Sequence, residues 1–256
     1  MMVPESAPIA YLDEVFPGIQ GEGPYVGVRQ VFVRFSGCPL DCAYCDSQRT
    51  RRRSERCTIA DSDAAGATST VSNPIDLPLL QHLIAAAAGG APIHSIAVTG
   101  GEPLVQVDFL AAWLARLAND QKVYFEASGI MPERMALIAP YVSICAMDMK
   151  LRSTAGGVPR WTEHEEFLRV CSKAGMDVYV KAVVGMDTSV DEVQTCARLI
   201  ERIRPETVLI LQPVSPAHRV RSGPDVSLLA GLQRAALEII PDVRVIPQTH
   251  KMIGAR

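Results

Sequence analysis

Polar and apolar positions along this chain follow two alternating periods. Short, β-branched apolar runs at 30–35, 94–99, 122–126, 142–148, 177–183, 207–212 and 243–247 read as buried strands. Between most of them the apolar positions recur every three or four residues. In 106–118, for example, Val107, Leu110, Trp113, Leu114 and Leu117 share one face of a predicted helix. Thr162 with Glu165 and Ser189 with Glu192 have capping-box spacing ahead of two further helical patterns, and Asp225 suits the N-cap of a segment ending at Ile240. Strand and helix therefore alternate, which forces a parallel sheet, closed as a (β/α) barrel or open and doubly wound.

The polar clusters favour the barrel. Cys38, Cys42 and Cys45 follow the first of these strands, Thr99-Gly100-Gly101-Glu102-Pro103 closes the second and Glu126-Ala127-Ser128-Gly129 the third. Asp148-Met149-Lys150 closes the fourth and Gln212-Pro213 the sixth. Such barrels build their active sites at the C-terminal ends of the strands. One stretch breaks the pattern: 49–78 opens with Arg51-Arg52-Arg53 and continues in Ala, Gly, Ser, Thr and Asp, and is expected to be a loop insertion with a solvated arginine run. No linker divides the periodic segments, so 1–256 is expected to be a single domain.

Composition narrows the function classes. A net charge of -3 and the lack of a recurring basic face argue against a nucleic-acid partner. No apolar run reaches the roughly 20 residues that a bilayer requires, and no signal peptide opens the sequence, so a cytoplasmic protein with no membrane partner is expected. Seven cysteines, an odd number with three clustered, do not suit a disulfide framework. Cys145, Cys171 and Cys196 read as small buried hydrophobes, and Cys57 as an inert or spare thiol in a polar loop.

The clustered three carry the chemistry. Thiolates spaced C-x3-C-x2-C can hold three irons of a [4Fe-4S] cluster and leave the fourth without a protein ligand. Structural zinc is the alternative, but none of His82, His94, His164, His218 or His250 stands at the short spacing of a fourth ligand. With Tyr44 just before the last cysteine, the segment resembles the radical S-adenosylmethionine (SAM) superfamily. That resemblance implies that Gly101 and Glu102 hold the amino group of SAM while the cluster cleaves its sulfonium.

Further segments narrow the resemblance. Ile19-Gln20-Gly21-Glu22-Gly23, Arg34, Asp46-Ser47 and Gln248-Thr249-His250-Lys251 together resemble the 7-carboxy-7-deazaguanine synthases, from about residue 11 to the end without 49–78. The resemblance implies an incomplete (β/α)6 barrel with an extra C-terminal strand. It also implies conversion of 6-carboxy-5,6,7,8-tetrahydropterin to 7-carboxy-7-deazaguanine with loss of ammonia, using a [4Fe-4S] cluster, SAM and Mg²⁺. Substrate contacts would come from Ile19, Gln20, Gly21, Arg34, Thr99 and His250, with Arg34 forking onto a carboxylate or else forming a salt bridge. Ser47 stands where the family commonly has a threonine Mg²⁺ ligand. Glu-Ala-Ser-Gly replaces the usual Glu-Thr-Asn-Gly type sequence, leaving Glu126 as a catalytic candidate and Ser128 near SAM. Tyr44, Asp148, Met149 and Lys150, then Gln212, Pro213, Val214 and Ser215, match SAM-binding stretches. Lys150 is also a catalytic candidate, or else the partner of Asp148 in a salt bridge at the barrel mouth. The terminal carboxylate of Arg256 is expected to meet the amidine edge of the pterin. A homodimer and an electron donor such as flavodoxin complete the expectation. The rival readings are a glycyl-radical activase and a zinc-binding interaction protein.

Overall fold

A computed structural model describes residues 7–60, 68–117 and 121–255. In chain order its elements begin with β1 (Ile9–Ala10), β2 (Leu12–Ile19), β3 (Arg29–Phe35), β4 (Arg56–Ala60), β5 (Thr68–Ser72), β6 (Ile75–Asp76) and α1 (Leu77–Ala88). Then come β7 (Ser95–Gly100), α2 (Val107–Leu114), β8 (Val123–Ala127), α3 (Pro132–Ile138), β9 (Ile144–Asp148), α4 (Arg152–Ala155) and α5 (Trp161–Ala174). The chain closes with β10 (Asp177–Val184), α6 (Val190–Ile203), β11 (Leu209–Pro213), α7 (Val226–Leu237), β12 (Val243–Val245) and α8 (Thr249–Met252).

One sheet runs β12-β11-β10-β9-β8-β7-β3-β2-β4-β5. Every pairing from β3 round to β12 is parallel, while β2 lies antiparallel to β3. Strands β3 and β7 to β11 thus form six parallel staves, with β12 beyond them, and the sheet stays open between its edges β12 and β5. This is the incomplete (β/α)6 barrel with an extra C-terminal strand that the family resemblance implies, and of the two folds that the alternation of strand and helix allows it is the barrel.

The pleat places the site. Phe32, Ala97, Tyr124, Ala146, Tyr179 and Ile210, from six adjacent strands, pack with Phe16 and Ile144 into one apolar cluster inside the curved sheet. Side chains two residues further along a strand point to the same face. Above this floor the interior layer is therefore Arg34, Thr99, Glu126, Asp148, Lys181 and Gln212, one from each stave. The opposite faces of the strands form the larger core with the helices, around Phe35, Leu110, Trp113, Phe125 and Phe167.

Several sequence expectations need correction. Residues 49–78 were expected to be a loop, but β4 and β5 form an antiparallel hairpin that extends the sheet beyond β2. Among the described residues of the hairpin, Cys57, Ile59 and Val71 pack on the larger core and Ala60 on the interior cluster, so a half-solvated edge has too few apolar positions to read as strand. Residues 61–67 of that stretch lie outside the described residues. Cys57 is fully buried in β4 rather than placed in a polar loop. Of the arginine run, Arg51 pairs with Asp41 at 3.0 Å and Arg53 lies over the Tyr11 ring. Strand β2 escaped detection because Pro17 and Gly18 interrupt its apolar pattern.

Among the caps, Ser189 forms the expected box with Glu192, and Asp225 accepts the Leu228 N–H at 2.8 Å. Thr162 does not cap: α5 already begins at Trp161, with no side-chain cap from Arg160. Helix α2 ends at Leu114, short of the expected residue 118, which is outside the described residues, and α7 ends at Leu237 rather than Ile240.

Candidate active site

The polar layer opens into a cavity of about 620 Å³ at the C-terminal ends of the strands. Cys38, Cys42 and Cys45 line it from the loop after β3, all three half-buried and free of disulfides. That loop is pinned by Gly37 N–H to Thr50 O at 2.6 Å and Cys38 N–H to Arg51 O at 3.2 Å. It also presses against the end of β7, where a Cβ on Gly101 would lie 2.5 Å from Gly37 O and 2.8 Å from Thr50 O. Only glycine permits so close an approach.

The donor set fits an iron–sulfur cluster. Among the described residues no three His, Cys, Asp or Glu side chains converge on a single ion, the arrangement tetrahedral zinc needs. A four-iron cluster instead takes each thiolate on its own iron. Burial pushes the Cys38 thiol up to about 11 and raises Cys42 too, with the charge of Lys150 pulling against it. Bound metal deprotonates such thiols outright.

Glu102 does not face the cavity. Fully buried, it accepts the Leu104 N–H at 3.1 Å on Oε1 and the Ser128 N–H at 2.8 Å on Oε2, which also takes the Ser128 hydroxyl. Burial raises its pKa although these donors favour the anion. It ties the end of β7 to the end of β8, and of the expected SAM contacts here Gly101 and Ser128 line the cavity instead. Met149 likewise turns into the apolar core, since it follows Asp148 and lies on the other side of the pleat. Pro213 is half-buried away from the cavity wall, while Tyr44, Asp148, Lys150, Gln212, Val214 and Ser215 all line it. Two buried acceptors on that wall, Asp148 Oδ1 and Gln212 Oε1, lack a hydrogen-bond partner among the described residues. They suit a ligand rich in hydroxyl and amino donors, as the ribose and adenine of SAM are.

Lys150 adopts the salt-bridge alternative. Its Nζ donates to Asp148 Oδ2 at 2.6 Å and to Tyr44 Oη at 3.0 Å. Burial pulls Lys150 down, but Asp148 more than offsets it and the pKa stands well above the ordinary range. Burial likewise opposes the Asp148 anion, but Lys150 and Lys181 hold its pKa below the usual value. Lys181, buried on β10, bonds Glu22 and stands 3.5 Å from Asp148 Oδ1. Glu22 belongs to the Ile19–Gly23 segment that carries the resemblance but has no role assigned there, and Lys181 lies outside every such segment. A charge flanked on both sides by apolar residues, two positions past an interior tyrosine, is the signal in the run 177–183 that marks Lys181.

On the opposite wall, Glu126 accepts the Thr99 hydroxyl at 2.6 Å and the Gln20 amide at 3.2 Å. Gln20 also donates to Gln30 at 3.0 Å and accepts the Glu22 N–H at 3.0 Å, so its side chain is spent within the protein. Arg34 lines the cavity with its Nε paired to Glu14 at 3.1 Å, the salt-bridge alternative for this residue. Ile19, Gly21 and His250 line it too. The C-terminal segment is seated by Thr249 N–H to Gly21 O at 2.9 Å, Gln248 Nε2 to Glu22 Oε1 at 2.7 Å and Lys251 to Asp46 at 2.8 Å. Ser47, also on the wall, donates to Asp46 Oδ1 at 3.2 Å. Ala255 reaches the cavity, while Arg256 lies outside the described residues.

The chain is similar in sequence and in fold to known proteins. The sequence profile of the Radical SAM superfamily matches residues 32–200. A 7-carboxy-7-deazaguanine synthase of Geobacter sulfurreducens is 37% identical over 251 residues, covering 97% of this chain and 99% of that protein. One from Archaeoglobus fulgidus is 33% identical, covering 96% and 99%. The crystal structure of QueE from Escherichia coli shares the fold, with a TM-score of 0.56 at 20% identity and 94% of each chain covered. Superfamily membership brings a [4Fe-4S] cluster and SAM, which the three cysteines and the open acceptors are suited to hold, and a small-molecule substrate; no helix of the described residues is long and apolar enough to cross a membrane. By motif, fold and relatives alike, the chain belongs to the radical SAM superfamily and, within it, to the 7-carboxy-7-deazaguanine synthases.

Proposed function

We propose that this cavity converts 6-carboxy-5,6,7,8-tetrahydropterin to 7-carboxy-7-deazaguanine with loss of ammonia, using SAM catalytically. The observation that carries this is that the cysteine loop and the wall of Arg34, Thr99, Glu126 and His250 face one cavity. Cys38, Cys42 and Cys45 would hold the cluster, which would supply one-electron cleavage of SAM to methionine and an adenosyl radical able to exchange a hydrogen with C6 of the pterin.

The protein's own part is orientation and exclusion of water. Gly101 and Ser128 leave room at the methionine end of SAM, and Asp148, Gln212, Val214 and Ser215 border its nucleoside. Arg34 keeps its terminal nitrogens for the substrate carboxylate while Glu14 anchors its Nε. Glu126, held as an acceptor by Thr99 and Gln20, stays available for the N–H groups of the ring. Ser47 offers a hard oxygen to Mg²⁺, whose remaining positions would go to substrate and water. Homodimer formation, a flavodoxin-type electron donor and a cytoplasmic setting belong to the same reading.

The test is anaerobic reconstitution with iron and sulfide, followed by reductant, SAM, Mg²⁺ and 6-carboxytetrahydropterin. Formation of 7-carboxy-7-deazaguanine is expected. SAM cleavage without any deazaguanine overturns the reading.

A further inference from the structure

We infer that Lys181 is a positioning residue that locks the substrate side of the cavity to the cluster side through the charge chain Glu22, Lys181, Asp148, Lys150. The inference rests on the function proposed above and assigns work to a residue outside the motifs that identify the family.

The chain starts in the turn after β2. Glu22 holds the Lys181 ammonium with one carboxylate oxygen and receives Gln248 of the C-terminal segment on the other, at 2.7 Å. Lys181 pairs directly across the sheet with Asp148 of β9, and its Nζ lies 3.5 Å from Asp148 Oδ1. The other oxygen of Asp148 takes Lys150 at 2.6 Å, and Lys150 passes on to Tyr44 at 3.0 Å, between Cys42 and Cys45. Four charges of alternating sign thus run from the Gln20-Gly21-Glu22 turn to the cluster loop, and Asp148 is the shared link.

All four charged side chains are 10–19% exposed. Burial makes each charge costly unless its neighbours stay in place, so the chain tolerates few arrangements. Burial favours neutral Glu22, but Lys181 overrides it and holds the pKa below the usual value; Lys181 in turn is raised well above its own by Asp148 and Glu22 against the pull of burial. The charges therefore persist throughout the neutral range.

Hydrogen transfer needs the donor carbon and the radical carbon roughly 3–3.5 Å apart and aligned. The pterin is seated by residues on the Glu22 side, and SAM by the cluster loop and Asp148. Their separation is then set by whatever fixes one wall against the other, and Lys181 is the link whose two partners lie on different walls. It acts through Glu22 and Asp148 rather than by touching the reacting atoms.

The experiment compares wild-type holoenzyme with Lys181→Met and Lys181→Arg, reading 5'-deoxyadenosine released per 7-carboxy-7-deazaguanine formed. In Lys181→Met the kcat for product should fall by about 100-fold, the cost of a misplacement near 1 Å. 5'-Deoxyadenosine per product should rise by a similar factor, with iron content and the KM for SAM unchanged. Lys181→Arg should recover most of the coupling. Where Lys181→Met fails to fold, with two buried carboxylates left facing each other, Glu22→Gln/Lys181→Met removes one charge of each sign and is read in its place. Wild-type coupling in the variant overturns the inference. So does a raised KM for the pterin at unchanged coupling, which would mean direct substrate contact. A wild-type enzyme that makes no deazaguanine overturns the functional reading itself, and this inference with it.

Discussion

A Cβ placed on Gly21 would lie 2.3 Å from His250 Nδ1 and 2.6 Å from the His250 backbone nitrogen. The ring could rotate away, but the backbone could not. Gly21 O also accepts both the N–H and the hydroxyl of Thr249, so the C-terminal segment sits directly on this turn. Gly21→Ala should therefore lift residues 248–255 from the cavity and raise the KM for the pterin about tenfold, equivalent to losing about 1.4 kcal/mol of contacts. Iron content should stay the same, because the cysteine loop is pinned separately through Thr50 and Arg51. Steady-state kinetics on the reconstituted variant checks this, and an unchanged KM contradicts it.

Burial separates Cys57 from the other cysteine group. It is fully buried in β4, and burial raises its thiol to about 12, which leaves an inert thiol. Cys57→Ala is expected to keep its full complement of iron and acid-labile sulfide and to lose roughly 1 kcal/mol of stability from the small cavity it leaves. Cys42→Ala should lose most of its iron. Loss of iron from the Cys57 variant would instead mark that residue as a ligand.

Much of this was legible because the parallel strands are nearly continuous apolar runs and their C-terminal ends are marked by unusual polar residues. The strand ends locate a site but leave the direction of each side chain open. Met149 and Asp148 are neighbours at one strand end, yet the pleat sends one into the core and the other into the cavity. Glu102 lies past the end of β7, where its direction is set by amides of Leu104 and Ser128 that no spacing reveals. Lys181 had the opposite problem. It stands in the middle of an apolar run and ends no strand, and only the two-residue step from Tyr179 on the barrel floor exposes it. The hairpin of β4 and β5 was hidden because a half-solvated edge carries little hydrophobic signal.

Glu102 allows a sharp test of indirect action on SAM. Its two oxygens accept from three donors in two loops, so Glu102→Gln must set an amide NH₂ against at least one buried donor. An unmatched buried donor costs about 1–3 kcal/mol. Displacement of Ser128 and Gly101 should raise the KM for SAM by about 10- to 100-fold, with the cluster still loaded. Equilibrium binding of SAM to the reconstituted variant measures this directly, and wild-type affinity would show that the tie between β7 and β8 is not needed for the SAM site.

His164 gives the fold a pH dependence. Fully buried, it donates from Nδ1 to Gly129 O at 3.0 Å and accepts the Lys150 N–H on Nε2 at 3.0 Å, which fixes one neutral tautomer. Burial lowers its pKa from 6.5 to about 4. The unfolded chain thus takes up a proton at a pH where the folded chain does not. The contribution is complete above pH 6.5 and is lost as the pH falls through 6.5 toward 4, by about 3 kcal/mol in all and about 2 kcal/mol by pH 5. His94, also lowered by burial, adds in the same direction. Asp148 and Glu22, whose pKa values are lowered, lose their contribution only below their ordinary values of 3.8 and 4.5, outside the pH 5–7.5 comparison. Anaerobic urea unfolding at pH 7.5 and pH 5 should show this loss in the wild type, and His164→Gln should remove most of it while being less stable at both. An equal loss in the two proteins would rule His164 out as its source.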